Sequence, residues 1–111
     1  MQRVKESELS FRGGDSGVKY LMRGPYIDWG IILLLPGREL TGHYHREVEE
    51  TFYILEGCGT IDVNGESLSV YAGDVLRMEA QEKHAIRNTS SDTLKLVFIK
   101  CPYLPDDKVD C

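Results

Sequence analysis

Apolar and β-branched residues run along this chain in short bursts cut by turn residues, and no stretch keeps a helical period for long. Ile31 to Leu35 ends at Pro36-Gly37, Thr51 to Leu55 ends before Gly57, and Leu94 to Ile99 runs out before Pro102. Bursts of this length bounded by Gly and Pro predict strands. Asn64-Gly65 stands between Thr60-Ile61-Asp62-Val63 and Ser67-Leu68-Ser69-Val70. A two-residue hairpin turn needs positive φ at both central positions, which Asn-Gly supplies, so a hairpin is predicted there. Ala72-Gly73-Asp74 predicts a turn before a strand over Val75 to Met78, and Asn88 to Asp92 a polar break before the last strand. Gly13 to Gly17 reads as a flexible loop before a strand around Val18 to Met22. About eight or nine short strands with no helix to cover them predict an all-β sandwich or barrel.

Composition leaves that picture standing. Of 111 residues, 41% are hydrophobic and 28% charged, ordinary for a folded chain and enough for one core, so one domain over residues 1–111 is expected. The 13 Lys and Arg against 18 Asp and Glu give a formal net charge of -5. No basic stripe answers a phosphate backbone, which argues against a nucleic-acid partner. Met1 to Ser10 alternates charge with single apolar residues. It lacks the apolar stretch of a signal peptide, nothing later reaches the length of a membrane span, and a cytoplasmic protein is expected. Cys58, Cys101 and Cys111 are odd in number and at no ligand-like spacing, so free thiols are expected rather than a disulfide framework or a cysteine zinc site.

Candidate chemistry lies in the histidines, which fall as His43-Tyr44-His45 and, far downstream, His84. Two residues apart on a strand, His43 and His45 project from one face with Cα atoms about 6.5–7 Å apart, close enough to share one ion. Glu47, Glu49 and Glu50 follow at once. In the strand after them Glu50 shares a face with Phe52 and Ile54, which predicts that Glu50 points inward and Glu49 outward. The odd-to-even change between His45 and Glu50 requires a loop or bulge around Arg46 to Glu49.

Gly37, His43, His45, Glu50 and Gly57 resemble the first motif of the cupin superfamily: glycine, five residues, His-x-His, three or four residues, Glu, six residues, glycine. Gly73, His84 and Asn88 are similar to its second motif, with Glu79 where proline is usual and Gln81 where glycine is usual. Those departures predict a changed loop before His84 and leave the ligand in place. The resemblance covers roughly residues 17–100 and uses every histidine in the chain. It implies a double-stranded β-helix, or jelly-roll, barrel with one divalent metal ion held by His43, His45, Glu50 and His84, and open positions for water, substrate or oxygen. Three imidazoles and a carboxylate suit manganese, iron, nickel, copper or zinc without choosing among them.

Two functions follow as expectations. One is a small-molecule metalloenzyme, of the oxygenase or the sugar or uronate isomerase type. The other is a non-catalytic module that binds or senses a carboxylate or sugar-like ligand on the same metal. The His-Tyr-His stretch and the segment Cys101 to Asp107 look like those of stand-alone cupins described as sugar-phosphate-isomerase-like. A homodimer is expected, because exposed edge strands are commonly protected by a second copy.

The remaining residues take plainer roles. Glu47 and Glu49 are expected in a solvated loop, Glu56 and Glu66 on the surface, and Asn88 in a turn. Tyr26, Trp29, Phe52, Tyr53 and Phe98 are expected in the core or a dimer interface. Arg23, Arg77 and Arg87 are expected on the surface, although each could pair with an anionic substrate.

Overall fold

A computed structural model describes residues 1–111. The strands are β1 (Gly17–Arg23), β2 (Asp28–Leu34), β3 (Glu39–His45), β4 (Glu49–Glu56), β5 (Cys58–Val63), β6 (Glu66–Tyr71), β7 (Val75–Met78), β8 (His84–Arg87), β9 (Leu94–Cys101) and β10 (Lys108–Asp110). They form two five-stranded sheets, ordered β1-β2-β9-β4-β7 and β10-β3-β8-β5-β6, and every pairing is antiparallel. The all-β jelly-roll arrangement agrees with the sequence pattern, and the two sheets face one another without a shared ladder. The only helical element is a single 3₁₀ turn over Glu6–Glu8, and no helix is long and apolar enough to cross a membrane.

Local chemistry explains most of the boundaries. Asn64 and Gly65 have φ of 49° and 86° and close the β5–β6 hairpin, in which Val63 pairs with Glu66, as the mirror-image turn requires. Strand β10 exceeds the expected count. Two of its three residues are charged, and it is a strand only because it pairs with Tyr44 and its neighbours on β3, a tertiary pairing that local sequence does not encode.

Alternation along the first sheet sorts its inward side chains into rows. Ile32, Leu96 and Ile54 are aligned across β2, β9 and β4. Two residues along, the row is Tyr20, Gly30, Phe98 and Phe52; two further, it is Arg23, Asp28, Lys100 and Glu50. The interior therefore grades from apolar to charged along the strands. The apolar end packs against Ile61, Val70 and Ile86 of the second sheet to form the core, each buried side chain contributing about 1.5–3 kcal/mol of hydrophobic stabilisation.

Two irregularities keep this face in phase. A bulge between Tyr20 and Met22 turns Arg23 inward beside Asp28. Gly30 lets β1 lie close, since a Cβ there would collide with the Lys19 carbonyl oxygen and reach 2.9 Å from Tyr20 Cα. On the outer face, the N-terminal segment is fastened by Lys19, whose Nζ donates to the Glu6 carbonyl at 3.1 Å and lies 4.1 Å from the Phe11 ring centroid.

Candidate metal centre

The charged end of the interior meets the histidine-bearing face of the second sheet. A bulge in β3 between Leu40 and His43 shifts the alternation so that Leu40, His43 and His45 all turn inward. His43 is the cross-strand partner of His84 on β8. Glu50 arrives from the opposite sheet. Relative exposures of His43, His45, Glu50 and His84 are 8, 5, 5 and 2%, so all four sequence-predicted residues are buried together, with ligand atoms within 4.8 Å of one another.

The loop that makes this possible is Arg46 to Val48, where the parity argument required it. It is clamped from outside the two motifs: the Asp107 carboxylate accepts from the backbone N–H of Glu47 at 2.8 Å and of Val48 at 3.0 Å. Burial pushes the Asp107 carboxyl up, and these N–H groups with the nearby His45 pull it down further, leaving it below its ordinary value. Glu49 is half-buried and Glu47 exposed, and neither belongs to the cluster.

Glu50 Oε1 lies 3.1 Å from His45 Nε2, 3.2 Å from His84 Nε2 and 3.8 Å from His43 Nε2. Ion–donor distances of about 2.0–2.2 Å place neighbouring donors about 3–4 Å apart, so this spacing fits a cation at the centre. Burial pushes the Glu50 carboxyl up, and hydrogen bonds from the three imidazoles pull it well below the usual carboxylate range whenever their Nε2 atoms carry protons.

Ring orientation is fixed from behind. His43 Nδ1 faces the Thr41 carbonyl at 3.1 Å and His84 Nδ1 the Glu82 carbonyl at 2.9 Å. A carbonyl oxygen can only accept, so each Nδ1 carries the hydrogen and donates it. In the neutral imidazole, Nε2 is then a bare lone pair aimed at the carboxylate. Acceptors converging in a buried space repel unless a cation or added protons stand between them, and this backbone-oriented arrangement is how histidine is presented to a metal.

A cavity of about 320 Å³ opens on His43, His45 and Glu50. Tyr20, Arg23, Phe52, Phe98 and Lys100 from the first sheet line it. Arg23 is exposed, as expected, and also lines the cavity mouth, where the β1 bulge turns it onto Asp28. Arg77 and Arg87 are outside it, paired with Glu79 and Asp62.

Lys100, Tyr20 and Asp107 were missed by sequence reasoning. The alternation Leu94, Leu96, Phe98 extends directly to Lys100 and was a usable signal, whereas nothing local marks Asp107. Asn88 is a turn anchor as expected, its amide donating to the Leu34 and Asp92 carbonyls at 2.8 Å each. Phe52 and Phe98 are core residues, whereas Tyr26 and Tyr53 are exposed, outside the core and open to the interface alternative. All three cysteines are free, Cys58 half-buried and the others exposed.

Comparison with known proteins bears on the same residues. Residues 30–100 match the family model described as a cupin domain. The 5-nitrosalicylic acid 1,2-dioxygenase of a Bradyrhizobium species is 38% identical over 75 residues, 67% of this chain and 36% of that protein. An oxalate-binding protein of Thermotoga maritima is 35% identical over 66 residues, 60% of this chain and 54% of that protein. The chain spans about half, or less, of the length of the curated relatives it matches. Among solved structures, an uncharacterized conserved protein with a double-stranded beta-helix domain from Klebsiella pneumoniae superposes with a TM-score of 0.85 at 16% identity, covering 100% of this chain and 97% of that one; this is likeness of fold.

Proposed function

Because the chain belongs to the cupin family, we propose that His43, His45, Glu50 and His84 hold one divalent metal ion and that the protein is a small-molecule metalloenzyme. The observation that carries this reading is the backbone-fixed orientation of His43 and His84, which aims imidazole nitrogens at the Glu50 carboxyl group. A bound ion would supply Lewis acidity and open coordination positions for a substrate oxygen.

The chain's own groups support turnover. Lys100 Nζ donates to the Tyr20 hydroxyl at 3.1 Å, a polar pair able to hold or move a proton at the phenol oxygen on the cavity wall. Phe52 and Phe98 exclude water from the cavity floor. An oxygenase is supported by the likeness to a protein named as a dioxygenase, and a sugar or uronate isomerase by the need for a proton-transfer group beside the ion. The open sheet edges β1, β7, β10 and β6 support pairing of two copies.

A second reading, a binding module without turnover, is favoured by the relative named as an oxalate-binding protein. Elemental analysis of protein purified without a histidine tag, then a screen of carboxylates and sugars after loading with manganese, iron, nickel, copper or zinc, tests both. About one ion per chain with product formation is expected. Binding without product in every arm would favour the module, and failure to take up any of these ions would defeat the metal assignment.

A further inference from the structure

The cavity wall facing the metal centre is basic although the chain as a whole is acidic. Arg12, Arg23, Lys100 and Lys108 line it against Asp106 and the Glu50 already engaged by imidazoles, in a chain of net charge -5. Behind the wall, Asp28 is 1% exposed and serves two of these cations. It accepts two hydrogen bonds from Arg23, each 3.0 Å, and lies 3.6 Å from Lys100 Nζ. One carboxylate between two cations leaves a positive surplus, to which Arg12 adds.

Tyr20 stands among these groups. Its ring centroid is 3.9 Å from the Arg23 guanidinium carbon, 5.0 Å from Lys100 Nζ and 5.6 Å from the Arg12 guanidinium carbon. The Lys100 side chain is only 15% exposed. An ammonium has three N–H groups; those of Lys100 are answered by Tyr20 and, less closely, by Asp28, which leaves one for the cavity. A largely desolvated cation with an unanswered donor favours an anion within reach. Lys100 is also the cross-strand partner of Glu50, so its head and the centre share one inward face.

Resting on the metal reading above, we propose that the molecule this site takes carries a carboxylate seated by Lys100 and Arg23, in addition to the oxygens it offers to the ion. Neutral sugars leave the surplus charge unanswered. The free lysine N–H and the outer edge of Arg23 match the two oxygens of a carboxylate better than the three of a phosphate-type group.

The test uses cobalt-loaded full-length protein and monohydroxamates of malonic, succinic and glutaric acid, whose common head chelates the ion, each beside its methyl ester and its phosphonate counterpart. Visible absorption of the cobalt reads binding. At the best tail length the acid is expected to bind about tenfold more tightly than its ester. Lys100→Met should reduce that preference to about threefold or less, and Lys100→Arg should retain it. Equal binding of acid and ester at every tail length in the wild-type protein, a measurement independent of whether the variants fold, would overturn the carboxylate seat and leave the metal reading intact. So would a preference that survives in a folded Lys100→Met protein, and a phosphonate that binds more tightly than the acid would overturn the choice of carboxylate. Failure of the chain to take up cobalt would instead count against the metal reading and, with it, this inference.

Discussion

The backbone N–H of Gln81 donates to the carbonyl oxygen of His45 at 2.6 Å, tying the turn before His84 to the strand that carries His43 and His45. Gln81 makes this contact from φ of 71°, the left-handed region in which a side chain costs about 1–2 kcal/mol. It is also the place where the second cupin motif usually has glycine, so the departure loads this turn with backbone strain. Gln81→Gly should therefore stabilise the protein by about 0.5–1 kcal/mol after the extra freedom of glycine in the unfolded chain is set against the relief. A melting temperature higher by about 2–6 °C is expected. An unchanged or lower value would show that the Gln81 side chain offsets its own backbone strain.

Asp107 holds the loop that brings Glu50 into register with His45. Asp107→Ala removes the acceptor for two backbone N–H groups, one of them on buried Val48, and should cost about 2–3 kcal/mol in denaturant unfolding. Asp107→Asn keeps one acceptor oxygen and should recover part of that loss. Metal affinity should fall by about tenfold in the alanine variant, because the loop then presents Glu50 less firmly. Full stability and full affinity in Asp107→Ala would remove this residue from the machinery of the site.

The difference between what was legible and what was not is one of range. Turns are local, so Asn64-Gly65 announced its hairpin; parity is local, so His43 and His45 could be placed on one shared face and Glu50 on an inward one. His84 needed the resemblance of a whole motif, because nothing near it says which strand it will face. The place of Arg23 at the cavity mouth escaped because a bulge at Tyr20 to Met22 reverses the alternation on which parity depends. Strand β10 and Asp107 escaped because their partners lie about 60 residues away and their own sequence carries no strand or clamp signal.

Asp62 gives a pH dependence away from the histidines. Arg87 donates two hydrogen bonds to its carboxylate, at 2.9 and 3.1 Å, and Ser67 a third. The hydrogen bonds from Arg87 and then Ser67 hold the Asp62 carboxyl below its ordinary value. A depressed folded pKa means that this contribution to stability is fully present above the unfolded value near pH 3.9 and is lost as pH falls through the lower folded value. The wild-type protein should therefore exceed Asp62→Asn in stability by a constant amount above about pH 5, with the two curves converging as pH falls through the lower folded value. High salt should shrink the gap, since the pair is partly open to water. Parallel curves down to pH 2 would mean that the ionised pair contributes nothing.

Metal binding and folding should be linked through the convergent acceptors at the centre. Without a cation, the carboxylate of Glu50 and the bare Nε2 atoms of His43 and His84 face one another in a buried space, so any ion that binds the folded chain stabilises it by mass action, about 2.7 kcal/mol at a free concentration 100 times its Kd. Stripping the ion with a chelator should lower the melting temperature, and returning it should restore the loss in a concentration-dependent way. His84→Ala should weaken ion uptake by at least about tenfold and flatten that response, because three donors remain and the most buried one is gone. Acid should act in the same direction, since protonated imidazole cannot ligate. An His84→Ala protein with wild-type metal stoichiometry and an undiminished melting response would show that the ion, if bound, is held elsewhere.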